Sequence, residues 1–324
     1  MSKNADFENL TPEILLNGVE KSLRKNMTGL TSPLPSYINR VYELESEEGE
    51  RLISKFFRPG RWSLEALIDE QEFVKDCFED EIPVIPPFVL SDGELINAID
   101  GIYFSVMPKR FGREIEINDD DDYRRIGRLL GRIHVAGDKR KAKNRIELNP
   151  LKSTKVDVDY LVENFIPDDF KNIFQTTCGN IIDISVKLFE KVKNIRIHGD
   201  CHQKNILFRP GEGMMIIDFD DMMNGPSVQD LWLLLPDYSN KSRREINLIL
   251  DGYEIFREFD DMELRLIEPL RAMRMIYYLA WCSKQANDYK FKTTFPQWGS
   301  NGFWKNEITD LVNQLDVIKK HLNI

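Results

Sequence analysis

The stretch of this 324-residue chain that most restricts its fold is Arg196-Ile-His-Gly-Asp-Cys-His-Gln-Lys-Asn-Ile-Leu-Phe208, followed by Met215-Ile-Ile-Asp-Phe-Asp220. In both pieces short apolar runs end in polar clusters, the pattern of short strands that deliver residues into loops. Asp200 stands five residues before Asn205, and the apolar strand Met215-Ile-Ile217 then delivers Asp218 and Asp220. Oxygen donors therefore converge after two short strands.

The segments before this stretch read as β-structure with helices. Leu10-Thr11-Pro12-Glu13 predicts an N-cap with proline at the first helical position, and Ile14, Leu15, Val19 and Leu23 continue the helix. Arg40 to Leu44 and Arg51 to Phe57 predict two strands joined by the acidic hairpin Glu45-Ser-Glu-Glu-Gly-Glu50, and the second strand carries Lys55. Ser63 can cap a helix through Leu64, Leu67, Ile68, Phe73 and Val74, with Glu70 and Glu72 on different faces. After the prolyl stretch at Ile82, strand candidates follow near Phe88 to Leu90, Glu94 to Ala98 and Ile102 to Met107, closed by Pro108. Beyond it the chain turns mainly helical. The expectation is an α+β fold of two lobes, a small antiparallel-sheet lobe over residues 1–107 and a larger helical lobe over 108–324, with the boundary near Met107 to Arg113.

Composition narrows the function classes. At 42% hydrophobic content the chain can bury a real core without staples. Cys77, Cys178, Cys201 and Cys282 form no CxxC pair, so neither a disulfide framework nor a zinc ribbon is indicated, and a reducing cytoplasm fits. The polar start, Met1-Ser-Lys-Asn-Ala-Asp-Phe-Glu8, does not read as a signal peptide, and the longest apolar runs, such as Leu231 to Leu235, are too short to span a bilayer. A net charge of −10 disfavours nucleic acid and anionic membranes, so a phosphate site would need its own positive charge. A monomer is the default.

Phosphoryl transfer asks little covalent chemistry of a protein. It needs a group that orients and deprotonates the attacking hydroxyl, and oxygen ligands that hold Mg²⁺ against the phosphates. Asp200 suits the first task, and Asn205 and Asp218 the second. A neutral ligand such as Asn205 makes sense beside a tetra-anionic nucleotide and has no reason to stand in a structural acidic cluster. The rival reading of His198, Cys201 and His202 as a transition-metal site lacks a fourth ligand at useful spacing. His198 reads instead as a brace for the loop, and His134 as a packing residue. Lys55 on its strand and Glu70 on the following helix are placed to pair, and a lysine so held can bind the α- and β-phosphates of ATP.

At this point the chain resembles the aminoglycoside and choline kinase-like superfamily, and more closely the stress response kinase A family, also called the YihE protein kinases. The carrying segments are Leu34 to Tyr42, Lys55-Phe-Phe-Arg-Pro59 with Arg61-Trp62, His198 to His202 with Asn205 to Leu207, Asp218 to Asp221, Asn224 to Trp232, and Glu268 to Trp281. The resemblance implies Mg·ATP-dependent phosphorylation of serine or threonine in a protein partner, with autophosphorylation, and a role in limiting stress-induced death in bacteria. It implies Asp200 as proton acceptor, Asn205 and Asp218 as magnesium ligands, Lys55 and Glu70 as the phosphate-binding pair, and Ser36, in the loop between the first helix and the first strand, as a residue of the ATP site. The backbone at Val106 and Met107 is expected to meet adenine. HGD in place of HRD, DFD in place of DFG and the lack of a glycine-rich loop are shared with small-molecule kinases. The alternative is therefore a small-molecule hydroxyl kinase acting on an amino alcohol, sugar or antibiotic. A third reading, a nucleotide-binding pseudokinase, is opposed by the intact Asp200, Asn205 and Asp218 set.

Several features read as structural. Asp119 to Asp122 precede a helical pattern and complement its dipole. Lys139 to Arg145 reads as a solvated basic loop. Ser227 and Asp230 outline a capping box that would fix the metal-bearing loop. Arg271 and Arg274 are expected to form ion pairs within their lobe rather than to meet an anionic acceptor. Cys201 would sense oxidants only with a stabilised, exposed thiolate, which the neighbouring carboxylate opposes.

Overall fold

The computed structural model describes residues 7–324, so residues 1–6 of the polar start lie outside the described residues. In chain order the elements begin with α1 (Pro12–Leu23), β1 (Met27–Leu34), β2 (Arg40–Ser46), β3 (Arg51–Phe56), α2 (Leu64–Glu79), β4 (Asn97–Ile99), β5 (Ile102–Pro108) and β6 (Arg113–Glu114). Then come α3 (Asp120–Asp138), α4 (Lys155–Asn164), α5 (Asp168–Phe189), β7 (Ile195–Ile197), β8 (Ile206–Arg209), β9 (Gly213–Ile216) and β10 (Met223–Gly225). The chain ends with α6 (Val228–Trp232), α7 (Arg243–Tyr253), α8 (Ile267–Gln285), α9 (Tyr289–Thr294) and α10 (Asn301–Leu322). The result is α+β, as expected, and it divides into two compact units.

The first unit holds the chain through Ile117, together with Val135–Arg145 and His202–Met222. Its centre is an antiparallel sheet in the order β1-β2-β3-β5-β4. Met107 and Pro108, where a lobe boundary is expected, are the last residues of β5 and pair with Ile53 and Leu52. Strand alternation sorts β3 into two faces. Leu52 and Phe56 join Leu44, Phe104, Val106, Leu15 and Val19 in one core beneath α1, whereas Lys55 points to the other face. A smaller sheet, β6-β8-β9, sits in the same unit.

Local signals explain most of these elements. Thr11 and Ser63 cap α1 and α2 as expected, accepting from Ile14 N–H (3.4 Å) and Ala66 N–H (3.2 Å). β1, by contrast, is absent from the sequence reading, because Gly29 and Pro33 interrupt it. It survives as an edge strand, where a missing donor costs nothing, with Gly29 at φ +88° in a register shift. The expected strand at Phe88 to Leu90 is not a strand, and of Glu94 to Ala98 only Asn97 and Ala98 are extended, in β4.

The second unit, Asn118–His134, Ile146–Cys201 and Met223–Ile324, is helical apart from the β7-β10 pair. α4, α5, α8 and α10 pack around Leu161, Phe174, Ile181, Ile276, Trp304 and Leu311. Asp119 accepts from the backbone N–H of Asp121 (2.9 Å) and Asp122 (3.0 Å), so the acidic run caps α3 as the dipole argument expects. The Ser227–Asp230 capping box does not form. Ser227 donates to Glu263 at 2.7 Å, Glu263 also accepts from Val228 N–H at 2.8 Å, and Asp230 turns inward.

α3 and α7 meet backbone to backbone. A Cβ on Gly127 would lie 1.9 Å from the Ile249 carbonyl oxygen, and one on Gly252 would lie 2.0 Å from that of Arg124. This approach sets His134 of α3 against Tyr253 of α7, with Nδ1 3.0 Å from the Tyr253 hydroxyl. Gly127→Ala should therefore force the helices apart and lower stability by about 3 kcal/mol, the upper end of overpacking costs. Gly179→Ala in α5, where a Cβ meets nothing within 4 Å, should raise it by about 0.5–1 kcal/mol. Urea unfolding midpoints check both, and equal shifts would contradict the packing argument.

Candidate active site

In the first unit the face of β3 opposite α1 carries Lys55, and α2 turns Glu70 toward it. The Lys55 ammonium lies 3.5 Å from Glu70 Oε1, 3.2 Å from Asp218 Oδ1 and 3.2 Å from Asp220 Oδ1. Asp218 and Asp220 arrive by the β8–β9 hairpin. Ile206 faces Ile216, and just beyond that pair the Asn205 carbonyl accepts from Ile217 N–H at 2.9 Å. Asn205 and Asp218 thus stand at the open end of one hairpin. Asp218 itself holds a left-handed backbone, φ +63°, a conformation that non-glycine residues adopt at a cost and that concentrates at functional sites.

Asp220 is anchored from several sides. Arg61 reaches it at 2.7 Å and Asp221 at 2.5 Å, and the Asn39 amide donates to it at 3.2 Å while Asn39 accepts from Arg58 N–H at 3.1 Å. Arg145, its side chain fully buried, donates to Glu70 (3.1 Å) and to the carbonyls of Phe219 (3.3 Å) and Asp220 (2.8 Å), and stacks 4.1 Å from the centre of the Trp62 ring. The basic loop read as solvated is therefore docked on α2. Lys139 pairs with Asp80, Arg140 with Asp76, and Asn144 N–H with Asp69.

Burial opposes each of these charges, and proximity decides the outcome. Burial pulls the Lys55 ammonium down, but Asp220, Glu70 and Asp218 together hold it above the ordinary lysine value. Burial likewise pushes Asp220 up, yet Lys55, Arg61 and Arg145 hold its carboxyl at about 2. At Glu70 burial outweighs the pull of Lys55 and Arg145, and its carboxyl is raised.

In the second unit β7 ends at His198-Gly199-Asp200. Asp230, fully buried, accepts from His198 N–H (2.7 Å) and Gly199 N–H (2.8 Å) and lies 3.1 Å from His134 Nε2. The Gln229 amide donates to the Gly199 carbonyl at 3.2 Å. Gly199 at φ +83° makes the turn that a side chain would oppose, which is why glycine stands between His198 and Asp200. The His198 ring accepts from Asp200 N–H at 3.3 Å, the bracing expected of it. His134 does more than pack, since it links α3, Tyr253 and Asp230. Arg274 of α8 meets Asp200 Oδ1 at 2.5 Å, and Arg271 meets Glu268 at 3.2 Å, so both form ion pairs within the unit. Cys201 is fully buried, and burial, then Asp230 and Asp200, push its thiol well up, which opposes a reactive thiolate.

Lys55, Glu70, Asp218 and Asn205 thus lie in the first unit and Asp200 in the second. Ser36 lies in the β1–β2 turn rather than between the first helix and the first strand, because β1 precedes it. Val106 packs its side chain into the core under α1, and its carbonyl accepts from Phe88 N–H at 2.7 Å; Met107 is half-buried. Among the described residues no three His, Cys, Asp or Glu side chains are grouped to hold a metal, so His198, Cys201 and His202 form no such site. One carboxylate and one amide oxygen, Asp218 and Asn205, do suit a hard cation whose other ligands are phosphate and water. Sequence reading missed Arg145 and the linking roles of Asp220 and Asp230. The signal for Arg145 was its place at the end of a basic run, beside an asparagine and not among acids.

Removing Arg145 takes a donor from the carbonyls of Phe219 and Asp220 and leaves Glu70 to Lys55 and the Gln71 amide. Arg145→Ala should cost about 3–5 kcal/mol, the usual penalty for breaking a buried pair from one side. A urea-derived unfolding free energy that falls by less than about 1 kcal/mol would show that the loop docks without it.

Known proteins resemble this chain over nearly its full length. The sequence profile of the phosphotransferase enzyme family (APH) matches residues 31–266. Stress response kinase A of Escherichia coli (strain K12) is 36% identical over 326 residues, 97% of this chain and 95% of that protein. "Serine/threonine protein kinase RdoA" of Salmonella typhimurium (strain LT2) is 34% identical over 328 residues, 98% of this chain and 97% of that one. Among solved structures, amicoumacin kinase hAmiN in complex with AMP-PNP, Ca²⁺ and Ami superposes with a TM-score of 0.73 at 20% identity, covering 95% of this chain and 93% of that one. The chain therefore has the two-lobed kinase-like fold, belongs to the phosphotransferase enzyme family among the relatives of stress response kinase A, and is a kinase.

Proposed function

We propose that this kinase transfers the γ-phosphoryl group of Mg·ATP to serine or threonine hydroxyls of proteins, itself included, in the bacterial stress response. The observation that carries the phosphate-binding half is the Lys55 ammonium, within 3.5 Å of Glu70 and 3.2 Å of Asp218. A lysine so held is a fixed positive charge for the α- and β-phosphates, with Ser36 in the turn beside them and adenine on the backbone at Val106 and Met107. Asn205 and Asp218 would hold Mg²⁺, which supplies charge neutralisation along the phosphates when bound.

Asp200 is the proposed proton acceptor. As the acceptor hydroxyl oxygen bonds to the γ-phosphorus, the bond from phosphorus to the β–γ bridging oxygen breaks, the hydroxyl proton passes to Asp200, and ADP leaves. Asp230 aligns this base by fixing the amides of His198 and Gly199. Two things favour protein over small amine acceptors. The full-length relatives include one named a serine/threonine protein kinase. Arg274 stands 2.5 Å from Asp200, where the ammonium of an amino alcohol would meet like charge.

Incubation with Mg²⁺ and γ-labelled ATP, followed by mass spectrometry of the protein and a panel of small alcohols, tests this. Label on serine or threonine should fall by about 10²- to 10⁴-fold in Asp200→Asn. Label confined to small alcohols would overturn the protein-acceptor reading, and label independent of Asp200 would overturn the base assignment.

A further inference from the structure

Arg271, Arg274, Tyr278 and Trp281 follow at spacings of three, four and three, one stripe of helix α8. Arg271 is clamped: it pairs with Glu268 at 3.2 Å, donates to the Asp237 carbonyl at 3.3 Å and lies 4.9 Å and 5.0 Å from the ring centres of Trp232 and Tyr238. Tyr278 and Trp281 stack with ring centroids 5.8 Å apart. Between them Arg274, its side chain 34% exposed, makes its contact with the carboxylate of Asp200. The stripe of α8 that supplies the partner of Asp200 is thus cationic and aromatic. That sign runs against the chain's net charge of −10, and at this range the nearby guanidinium outweighs distant charges, which salt screens beyond about 8 Å.

We infer that Arg274 selects acceptors that carry an anionic group beside the reacting hydroxyl, which in a polypeptide is an acidic residue next to the serine or threonine. The inference rests on the protein-acceptor reading above. Without an acceptor, Arg274 holds Asp200. An acceptor carboxylate competes for the same planar fork of donors, draws the guanidinium onto itself and leaves Asp200 to take the hydroxyl proton. An acceptor with a neutral or cationic neighbour cannot make this exchange and meets a base still bound to its counter-ion. Selectivity and activation then come from one side chain, and the penalty on the wrong acceptor is a repulsive contact.

The test compares three peptides of equal length, with glutamate, glutamine or lysine flanking one serine, on wild type, Arg274→Lys, Arg274→Gln and Arg274→Glu, each checked for folding by thermal melting. Wild type should favour the glutamate peptide by about tenfold or more in kcat/KM. Arg274→Lys should keep part of that preference, Arg274→Gln should lose it, and Arg274→Glu should favour the lysine peptide. A wild type indifferent to the flanking charge, or an Arg274→Gln variant that slows equally on all three, would overturn the inference. A parallel panel of a hydroxy acid, a neutral diol and an amino alcohol separates the two claims. Arg274-dependent phosphorylation of the hydroxy acid with no peptide labelled would keep the recognition of an anion and sink the protein acceptor. Phosphorylation of the amino alcohol alone would sink both.

Discussion

One buried ammonium sets the terms for the first unit. Glu70 and Asp220 are carboxylates withdrawn from water, and Asp218 stands next to them, so the unit must gather positive charge or lose stability. Lys55 supplies that charge from a central strand, and Arg61 and Arg145 supply the rest. Strand β3, helix α2, the β8–β9 hairpin and the loop ending at Arg145 are held in register by these contacts. The same cluster is what a nucleotide needs, since a lysine already fixed by carboxylates offers its charge without first being ordered.

The second unit solves a different problem, the aiming of a single carboxylate. Its device is Asp230, which takes two backbone amides of the His198–Gly199 turn and leans on His134. That link runs back through Tyr253 to the contact between Gly127 and α7. A packing constraint between two helices thus reaches the residue that precedes Asp200. Arg274 completes the setting from α8, its guanidinium 2.5 Å from the Asp200 carboxylate.

What the sequence made legible follows the range of the interaction. Lys55 and Glu70 lie on elements whose periodicity is local, so a strand facing a helix was legible, and the structure sets the two 3.5 Å apart. Asp200 with Asn205, and Asp218, stood out as two short polar motifs at the ends of apolar strands. The roles that escaped depend on distant partners. Arg145 meets Glu70 across 75 positions and Asn39 meets Asp220 across 181. Nothing local marks such pairs. Asp230 looked like a helix cap because its spacing from Ser227 allows one, but its carboxylate accepts from the buried amides of His198 and Gly199 instead, and Glu263 takes the cap. β1 was hidden by Gly29 and Pro33, which an edge position tolerates, and this also moved Ser36 from a helix–strand loop to a turn between strands.

The central claim is that Lys55 binds nucleotide because Glu70 holds it. Calorimetric titration of Mg·ATP into wild type, Lys55→Met, Glu70→Gln and the double variant tests it most directly. Coupling predicts that each single change weakens binding by about tenfold or more and that the double variant is no weaker than Lys55→Met alone. Additive losses, or full affinity in Glu70→Gln, would contradict it.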